Sequence, residues 1–176
     1  MDENDPAQGM VLVIDKFLHP DVFARVGIEL QTLHHWRHEV DFQGALPVGE
    51  TCDVLPGSET HRAISAELRK LFTRDWVLSR FYVNRFKAAD IPRFHADGEV
   101  LTCLLYADPK PWEPDDHGET QLLIGGEIRG VLPIPNRMLV FDGRLLHRAT
   151  AFRGRLRHTI ATKLEGVGFA DIRVPS

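Results

Sequence analysis

Residues 76–86 read WVLSRFYVNRF, and five more short apolar runs follow: VLTCLLYAD (100–108), ETQLLIG (119–125), EIRGVLPI (127–134), RMLVFDG (137–143) and RHTIATKL (157–164). Turn residues separate the runs, and no helical pattern lies between them. Short strands at this spacing are typical of an antiparallel β-sandwich or barrel. We therefore expect a β-core over residues 75–165.

Two amphipathic helices are predicted before this core. The first spans Asp21 to about Trp36, with apolar residues at steps of three and four and Pro20 near its first turn. The second spans Glu59 to Phe72, with Ser58 as its N-cap. We expect both helices to pack on a sheet, which makes the fold mostly β with N-terminal helices.

The remaining segments are a strand and an irregular region. VLVIDKFLHP (11–20) has the β-branched content of a strand that ends at Pro20. Residues 37–59 contain two Pro-based turns and three Gly, so we interpret them as irregular, a candidate flap. The polar residues 1–9 are expected to be disordered.

The composition favours one compact, soluble domain over residues 1–176. The chain has 176 residues, of which 43% are hydrophobic, and its apolar runs are too short to cross a bilayer. The net charge of -4 disfavours nucleic acid and anionic membranes as partners. With two cysteines and no export signal, we expect a cytoplasmic protein.

A metal site is predicted from three residues. His95 and Asp97 stand two residues apart, so in an extended segment both side chains point to one face. His147 follows the strand-like RMLVFDG and a short turn, from which an antiparallel meander returns it to the first pair. Two histidines and one carboxylate form the facial triad that binds Fe(II) and leaves three positions open. Structural zinc is disfavoured, since Cys52 and Cys103 have no CxxC partner.

A carboxylate-binding group is predicted ten residues after His147. Arg157, Thr159 and Lys163 share one face of the predicted strand RHTIATKL. A guanidinium with a neighbouring hydroxyl can bind a carboxylate by charge-assisted hydrogen bonds. Lys163 is interpreted as a surface residue at the barrel end, with a second cation near the site as the alternative.

The sequence resembles the Fe(II)/2-oxoglutarate-dependent dioxygenases, in particular the prolyl-hydroxylase-like branch, whose core is a double-stranded β-helix (jelly-roll, cupin-like). The resemblance runs from about Phe81 to Leu164 and rests on these motifs in order: NRFKAADIPRFHAD, LTCLLYADPKPW, HGETQLL, PNRMLVFDGRLLH and RHT. It implies that His95, Asp97 and His147 bind Fe(II), and that Arg157 and Thr159 bind 2-oxoglutarate.

Further co-substrate contacts are implied by the same resemblance. Tyr106 stands where the family has a tyrosine that touches 2-oxoglutarate, and Asn84 fits the pattern of the AlkB type, although Phe86 offers no phenol at the second position of that pattern. Two departures are Ala88-Ala89 in place of Pro-Gly and His117 in place of a glycine before Gly118-Glu119. Because Asp97 is retained, hydroxylation is favoured over halogenation.

Three other features have structural interpretations beside functional ones. His34, His35 and His38 in HHWRH are interpreted as a solvated helix end rather than a second metal site. His117 has no assigned role. Trp112 lies in a Pro-rich loop that is either a lid or a packed plug.

The predicted activity is that of a 2-oxoglutarate-dependent hydroxylase, which inserts oxygen into a C–H bond and releases succinate and CO2. Its substrate is expected to be a small molecule or an amino-acid or peptidyl side chain, with proline among the candidates, and ascorbate is a candidate reductant beside O2. Two alternatives stay open: an AlkB-like nucleic-acid demethylase, and a non-catalytic β-helix binding module. A cupin without 2-oxoglutarate usually needs more histidine ligands.

Overall fold

The computed structural model describes residues 10–40, 47–90 and 92–173. Within these ranges the chain forms two α-helices, α1 (Pro20–Gln31) and α2 (Glu59–Leu71), and ten strands. The strands are β1 (Val11–Ile14), β2 (Arg37–Val40), β3 (Pro47–Asp53), β4 (Val77–Phe86), β5 (Leu101–Tyr106), β6 (Thr120–Ile124), β7 (Glu127–Val131), β8 (Met138–Asp142), β9 (His147–Ala149) and β10 (Arg157–Glu165).

The strands form two antiparallel sheets. The large sheet has the order β1-β8-β5-β10-β4-β3-β2, and the small sheet has the order β7-β6-β9. One apolar core lies between the helices and the large sheet, and it includes Val26, Ile64 and Ile160. A second core around Leu122 and Phe141 joins the two sheets. The protein is therefore mostly β, with the helices covering one face of the large sheet.

α2 begins at Glu59 as the sequence predicts, and α1 begins at Pro20, next to its predicted start at Asp21. α1 ends earlier than predicted. It was expected to reach Trp36 and stops at Gln31, where the Thr32 hydroxyl donates to the Glu29 carbonyl at 2.7 Å. The helix cannot continue much further, since the extended strand β2 starts at Arg37. At the start of α2, the Ser58 hydroxyl accepts a hydrogen bond from the His61 backbone N–H at 3.1 Å. Among the described residues, no helix is long and apolar enough to span a membrane.

The prediction of an irregular region over residues 37–59 is wrong for Arg37–Val40 and Pro47–Asp53, which form β2 and β3. β2 pairs with β3, and β3 extends the large sheet by pairing with β4 from Glu50↔Arg85 to Asp53↔Tyr82. The prolines misled the interpretation because Pro47 stands at the first residue of β3, where a strand tolerates proline. Residues 41–46 lie outside the described ranges.

A buried charge cluster joins β3 to β4. Glu50 is 7% exposed and accepts hydrogen bonds from Arg85 Nε at 2.8 Å and Lys87 Nζ at 3.1 Å. Burial alone would raise the pKa of Glu50, but these two hydrogen bonds outweigh it and hold the pKa below its ordinary value. The cluster therefore stabilises the fold while Glu50 is ionised.

The Glu50→Gln variant should lose about 1.5 to 3 kcal/mol of unfolding free energy at neutral pH, the scale of hydrogen bonds to charged groups. Because the folded-state pKa of Glu50 is depressed, its contribution is present above the ordinary glutamate value and is lost as the pH falls through the folded value. Urea unfolding at neutral pH and at about pH 3 measures this. The exposed pair Lys70–Glu67 supplies the control, since Glu67→Gln should change stability by less than about 0.5 kcal/mol. An equal loss at both pH values would contradict the account.

Candidate metal and co-substrate site

Backbone pairing brings the two histidines of the predicted triad together. His95 and His147 form an isolated antiparallel bridge in which each backbone N–H donates to the other's carbonyl, at 3.0 and 2.9 Å. The Asp97 N–H donates to the Gly143 carbonyl at 2.7 Å, which fixes the residue that completes the triad. The ligand atoms of His95, Asp97 and His147 all lie within 4.8 Å of one another.

Hydrogen bonds to the backbone orient both imidazoles. His95 Nδ1 lies 3.0 Å from the Arg93 carbonyl, and His147 Nδ1 lies 2.8 Å from the Leu145 carbonyl. A carbonyl can only accept, so Nδ1 carries the proton in each ring and the lone pair is on Nε2. The two Nε2 atoms face Asp97, at 3.9 Å for His95 and 3.3 Å for His147. Metal ligands in proteins are commonly oriented in this way.

Asp97 is held in its ionised form by a buried lysine. Lys163 Nζ contacts Asp97 Oδ2, and the Thr102 hydroxyl donates to the same oxygen at 2.7 Å. Burial alone would raise the pKa of Asp97, but the charge of Lys163 and its hydrogen bond to the carboxylate outweigh it and hold the pKa well below its usual range. Asp97 is thus a carboxylate in the site.

The interpretation of Lys163 as a surface residue is wrong. The residue is 5% exposed and lies on a central strand of the large sheet, since β10 is paired on both sides, with β4 and with β5. Alternation along the strand places it on the same face as Arg157, a signal that was present in the sequence. A lysine at this depth needs a counter-ion, and Asp97 supplies it.

A cavity of about 740 Å³ opens between the two sheets and contains the triad. Arg157 lies in its wall and is 1% exposed. Its Nε donates to the Gly118 carbonyl at 2.7 Å and its Nη2 to Thr120 Oγ1 at 2.9 Å. These contacts use two of five N–H donors, so the guanidinium is fixed and still has donors to offer. Burial lowers the pKa of Arg157, but a guanidinium stays charged in proteins.

Thr159 and Asn84 lie beside this arginine. They are direct partners in the β10–β4 register, and both line the cavity. The rings of Phe86 and Tyr106 lie 5.4 and 5.5 Å from the Arg157 guanidinium carbon. The strand alternation of β4 and β10 thus collects polar groups on the cavity side, at one end of the two strands.

Tyr106 is placed differently from its neighbours in this group. It is 1% exposed, and its hydroxyl donates to Thr120 Oγ1 at 2.8 Å. The described residues that line the cavity include Thr120 but not Tyr106. Tyr106 therefore lies behind Arg157 and supports the hydroxyl that Arg157 contacts, and its direct contact with a co-substrate stays a prediction.

No protein-family model matches the sequence, and no curated protein matches it. Solved structures do share its fold. A prolyl-4-hydroxylase from Pseudomonas putida is similar with a TM-score of 0.70 at 16% identity, over 89% of this chain and 93% of that one. The chain has the fold of the 2-oxoglutarate-dependent oxygenases.

Two more structures with this oxygenase fold were solved with ligands. A viral collagen prolyl hydroxylase from Paramecium bursaria Chlorella virus-1, in complex with 2-oxoglutarate, has a TM-score of 0.67 at 18% identity, over 91% of this chain and 98% of that one. HygX from Streptomyces hygroscopicus, with nickel, 2-oxoglutarate and hygromycin B bound, has a TM-score of 0.66 at 13% identity, over 89% and 83%. At these identities the similarity is one of fold.

The cluster HHWRH lies outside the triad, and its three histidines are exposed. His34 and His35 follow the end of α1, and His38 Nδ1 lies 3.6 Å from Glu50. The only group of three or more ligand-type residues found among the described residues is the triad itself. The interpretation of HHWRH as solvated fits these positions, although it follows the helix rather than ending it.

The loop that contains Trp112 contacts the segment that follows β9, where the Arg153 backbone N–H donates to the Asp116 carbonyl at 3.0 Å. Trp112 Nε1 donates to the His117 carbonyl at 2.8 Å, and His117 is exposed. Gly118 has a φ of +87°, and a Cβ there would lie 2.2 Å from the Phe152 ring, so only glycine fits. This fixes the Gly118 carbonyl that accepts from Arg157, which gives the loop a structural role.

Proposed function

We propose that this protein is an Fe(II)- and 2-oxoglutarate-dependent oxygenase that hydroxylates a C–H bond of its substrate. The observation that carries the proposal is the placement of a two-histidine, one-carboxylate cluster in the same cavity as a fixed, buried arginine. The metal cluster alone would suit several metals. The arginine adds a site for a second carboxylate, which a 2-oxo diacid has.

The donor set fits iron(II) as a resident metal. Two imidazole nitrogens and one carboxylate oxygen leave three positions of an octahedron open, as required for a chelating keto acid and O2. His95 Nε2, His147 Nε2 and one oxygen of Asp97 would hold the ion. The other oxygen of Asp97, Oδ2, is the one that Lys163 and Thr102 contact. Iron with 2-oxoglutarate supplies oxidative decarboxylation, in which one oxygen atom of O2 enters succinate and the other enters the substrate C–H bond.

The protein's own residues bind and orient the reactants in this proposal. Arg157 holds the distal carboxylate of 2-oxoglutarate by charge-assisted hydrogen bonds, and Thr159 and Asn84 add polar contacts beside it. Phe86 and Leu104 line the same cavity and limit the access of water. The substrate class is a small molecule or an amino-acid or peptidyl side chain, in keeping with similar folds that include collagen prolyl hydroxylase and the hygromycin B complex.

Anaerobic titration with 2-oxoglutarate tests the proposal. In the Fe(II)-loaded protein, the co-substrate should produce the weak visible charge-transfer band of a chelated keto acid. Replacing Arg157 by Ala should weaken 2-oxoglutarate binding by about 1.5 to 3 kcal/mol, or about 10- to 100-fold, the scale of hydrogen bonds to a charged group. The metal should still bind, because Arg157 is no ligand.

Arg155→Ala is the matched control. Arg155 is another largely buried arginine that follows β9, but it pairs with Asp108 and Asp116 and lies outside the cavity lining. Its loss should change folding stability without changing 2-oxoglutarate affinity in the folded protein. Absence of the band in iron-loaded wild type would refute the function, and equal affinity in the Arg157 variant would refute the anchor.

A further inference from the structure

A pair of opposite charges lines the cavity at the end away from the arginine anchor. In the β10–β4 register, Arg157 lies opposite Phe86, whereas Lys163 lies opposite Arg80. Six residues of extended strand separate the two ends, about 20 Å. Since Lys163 contacts Asp97, the metal cluster adjoins the Arg80 end. The space beside Arg80 is thus at the same end of the strands as the cluster and away from the proposed co-substrate anchor.

Arg80 and its partner Glu39 do not satisfy each other. Arg80 Nη2 is 3.5 Å from Glu39 Oε1, at the outer limit of a hydrogen bond. Next to them, Arg37 binds Asp53 with two hydrogen bonds of 2.8 Å each. Arg37 therefore has the bidentate geometry that an arginine prefers with a carboxylate. Arg80 does not have it with Glu39, so it can still bind another carboxylate in this way.

Neighbouring side chains hold Arg80 and Glu39 in place. The Arg80 guanidinium carbon lies 4.2 Å from the centre of the Tyr82 ring, and Tyr82 is 7% exposed. Stacking on a fixed ring leaves the N–H edge of a guanidinium free to bind an anion. The hydroxyl of the buried Thr51 donates to Glu39 Oε1 at 3.2 Å. Both charged side chains remain about half exposed, at 52% and 43%, so a ligand can reach them.

We propose that Arg80 and Glu39 recognise the carboxylate and the ammonium group of a free α-amino acid, which rests on the proposed function and names its substrate class. Arg80 donates two parallel hydrogen bonds to the carboxylate, and Glu39 accepts from the ammonium group. The amino-acid side chain then extends toward the metal cluster. One oxygen atom of O2 forms the hydroxyl on its C–H carbon, and the other enters succinate as 2-oxoglutarate loses CO2.

Charge complementarity favours a free amino acid over a residue within a peptide. A residue in the middle of a chain carries neither charge on its backbone, so it would offer no ionic partner to Arg80 or Glu39 beyond their own contact of 3.5 Å. A site that pairs with both charged groups of a substrate rejects analogues that lack one of them, because its own polar groups then lose that partner.

The test compares the twenty common L-amino acids with their carboxamides and N-acetyl derivatives. Succinate formation above the substrate-free rate, and a product heavier by one oxygen atom, identify those that are turned over. Free amino acids should be active, while the carboxamide and the N-acetyl derivative of the active one should have a KM raised about 10- to 100-fold. Titration calorimetry on the nickel- and 2-oxoglutarate-loaded protein should show the same ranking without turnover.

Variants connect this preference to the two residues. Arg80→Gln should raise KM for the free acid about 10- to 100-fold and change KM for the carboxamide little, with partial rescue in Arg80→Lys. Glu39→Gln should raise KM for the amino acid with a free ammonium group about 10- to 100-fold and change KM for its N-acetyl derivative little. Arg37→Gln is the control, since Arg37 lies on the same strand as Glu39 but outside the cavity lining, and it should leave both preferences unchanged.

Two kinds of failure are distinguishable. If 2-oxoglutarate binds with its charge-transfer band but no free amino acid is turned over or bound, or the carboxamide is used equally well, the recognition by Arg80 and Glu39 is wrong and the oxygenase assignment stands. The proposed recognition is also wrong if Arg80→Gln raises KM for the free acid and for the carboxamide by the same factor. If the band is absent in the wild type, the proposed function itself fails.

Discussion

His95→Ala should lower the affinity for Ni(II) or Fe(II) by at least about 100-fold and abolish 2-oxoglutarate turnover. Loss of a partner outside the ligand shell typically lowers metal affinity 10- to 100-fold, and a direct ligand is worth more. His95 is the best position for this experiment, because 46% of its side chain is exposed against 6% for His147. Truncation there should leave the fold intact. Anaerobic titration calorimetry with Ni(II) measures the affinity, and circular dichroism checks the fold.

His34→Ala is the matched control for this loss. His34 is an exposed histidine after α1 and belongs to no group of ligands among the described residues. Its variant should bind metal as the wild type does. Unchanged affinity in the His95 variant would remove that residue from the site, and an equal loss in the His34 variant would place metal at HHWRH instead.

The β-core was predicted well because short apolar runs bounded by turn residues are typical of strands that are buried on both faces, as β5 is. The six apolar segments each contain a strand of the structure, β4 to β8 and β10. Alternation also placed Arg157 and Thr159 on one face, which is the face that lines the cavity. These are local properties of an extended chain, so the sequence alone determines them.

Pairing between distant segments was harder to predict. β9 has three residues and exists because His147 pairs with His95 on one side and Leu122 on the other. β3 is stabilised by pairing with β4, and β2 by pairing with β3, rather than by their own composition. Strand propensity depends on such neighbours, so a segment with proline and glycine at its ends resembles a loop until its partner is known.

The burial of Lys163 in the site was hard to predict for the same reason. Its side of the strand was predictable, but its burial follows from the strands on both sides of β10. Lysine is rarely buried without a partner, which favoured the surface on sequence grounds. The partner, Asp97, is 66 residues away along the chain and contacts Lys163 only in the folded protein.

Lys163→Met should lower the unfolding free energy of the metal-free protein by about 3 to 5 kcal/mol, the usual effect of removing one partner of a buried ion pair. Methionine has a similar length and fills the space, so the loss reports the unpaired charge of Asp97, whose side chain is 11% exposed. Ni(II) should restore part of the stability, because the cation replaces the missing positive charge beside that carboxylate. Urea unfolding with a chelator and with excess Ni(II) measures both values.

The double variant Lys163→Met/Asp97→Asn separates charge from packing. It removes both ions, so most of the stability lost in the single variant should return, since replacing a whole buried pair is often close to neutral. It should gain much less from Ni(II), because a carboxylate ligand is gone. If Lys163→Met is as stable as the wild type in chelator, Lys163 is not the counter-ion of Asp97. If the double variant stays as unstable as the single one, the loss comes from packing around the lysine stem.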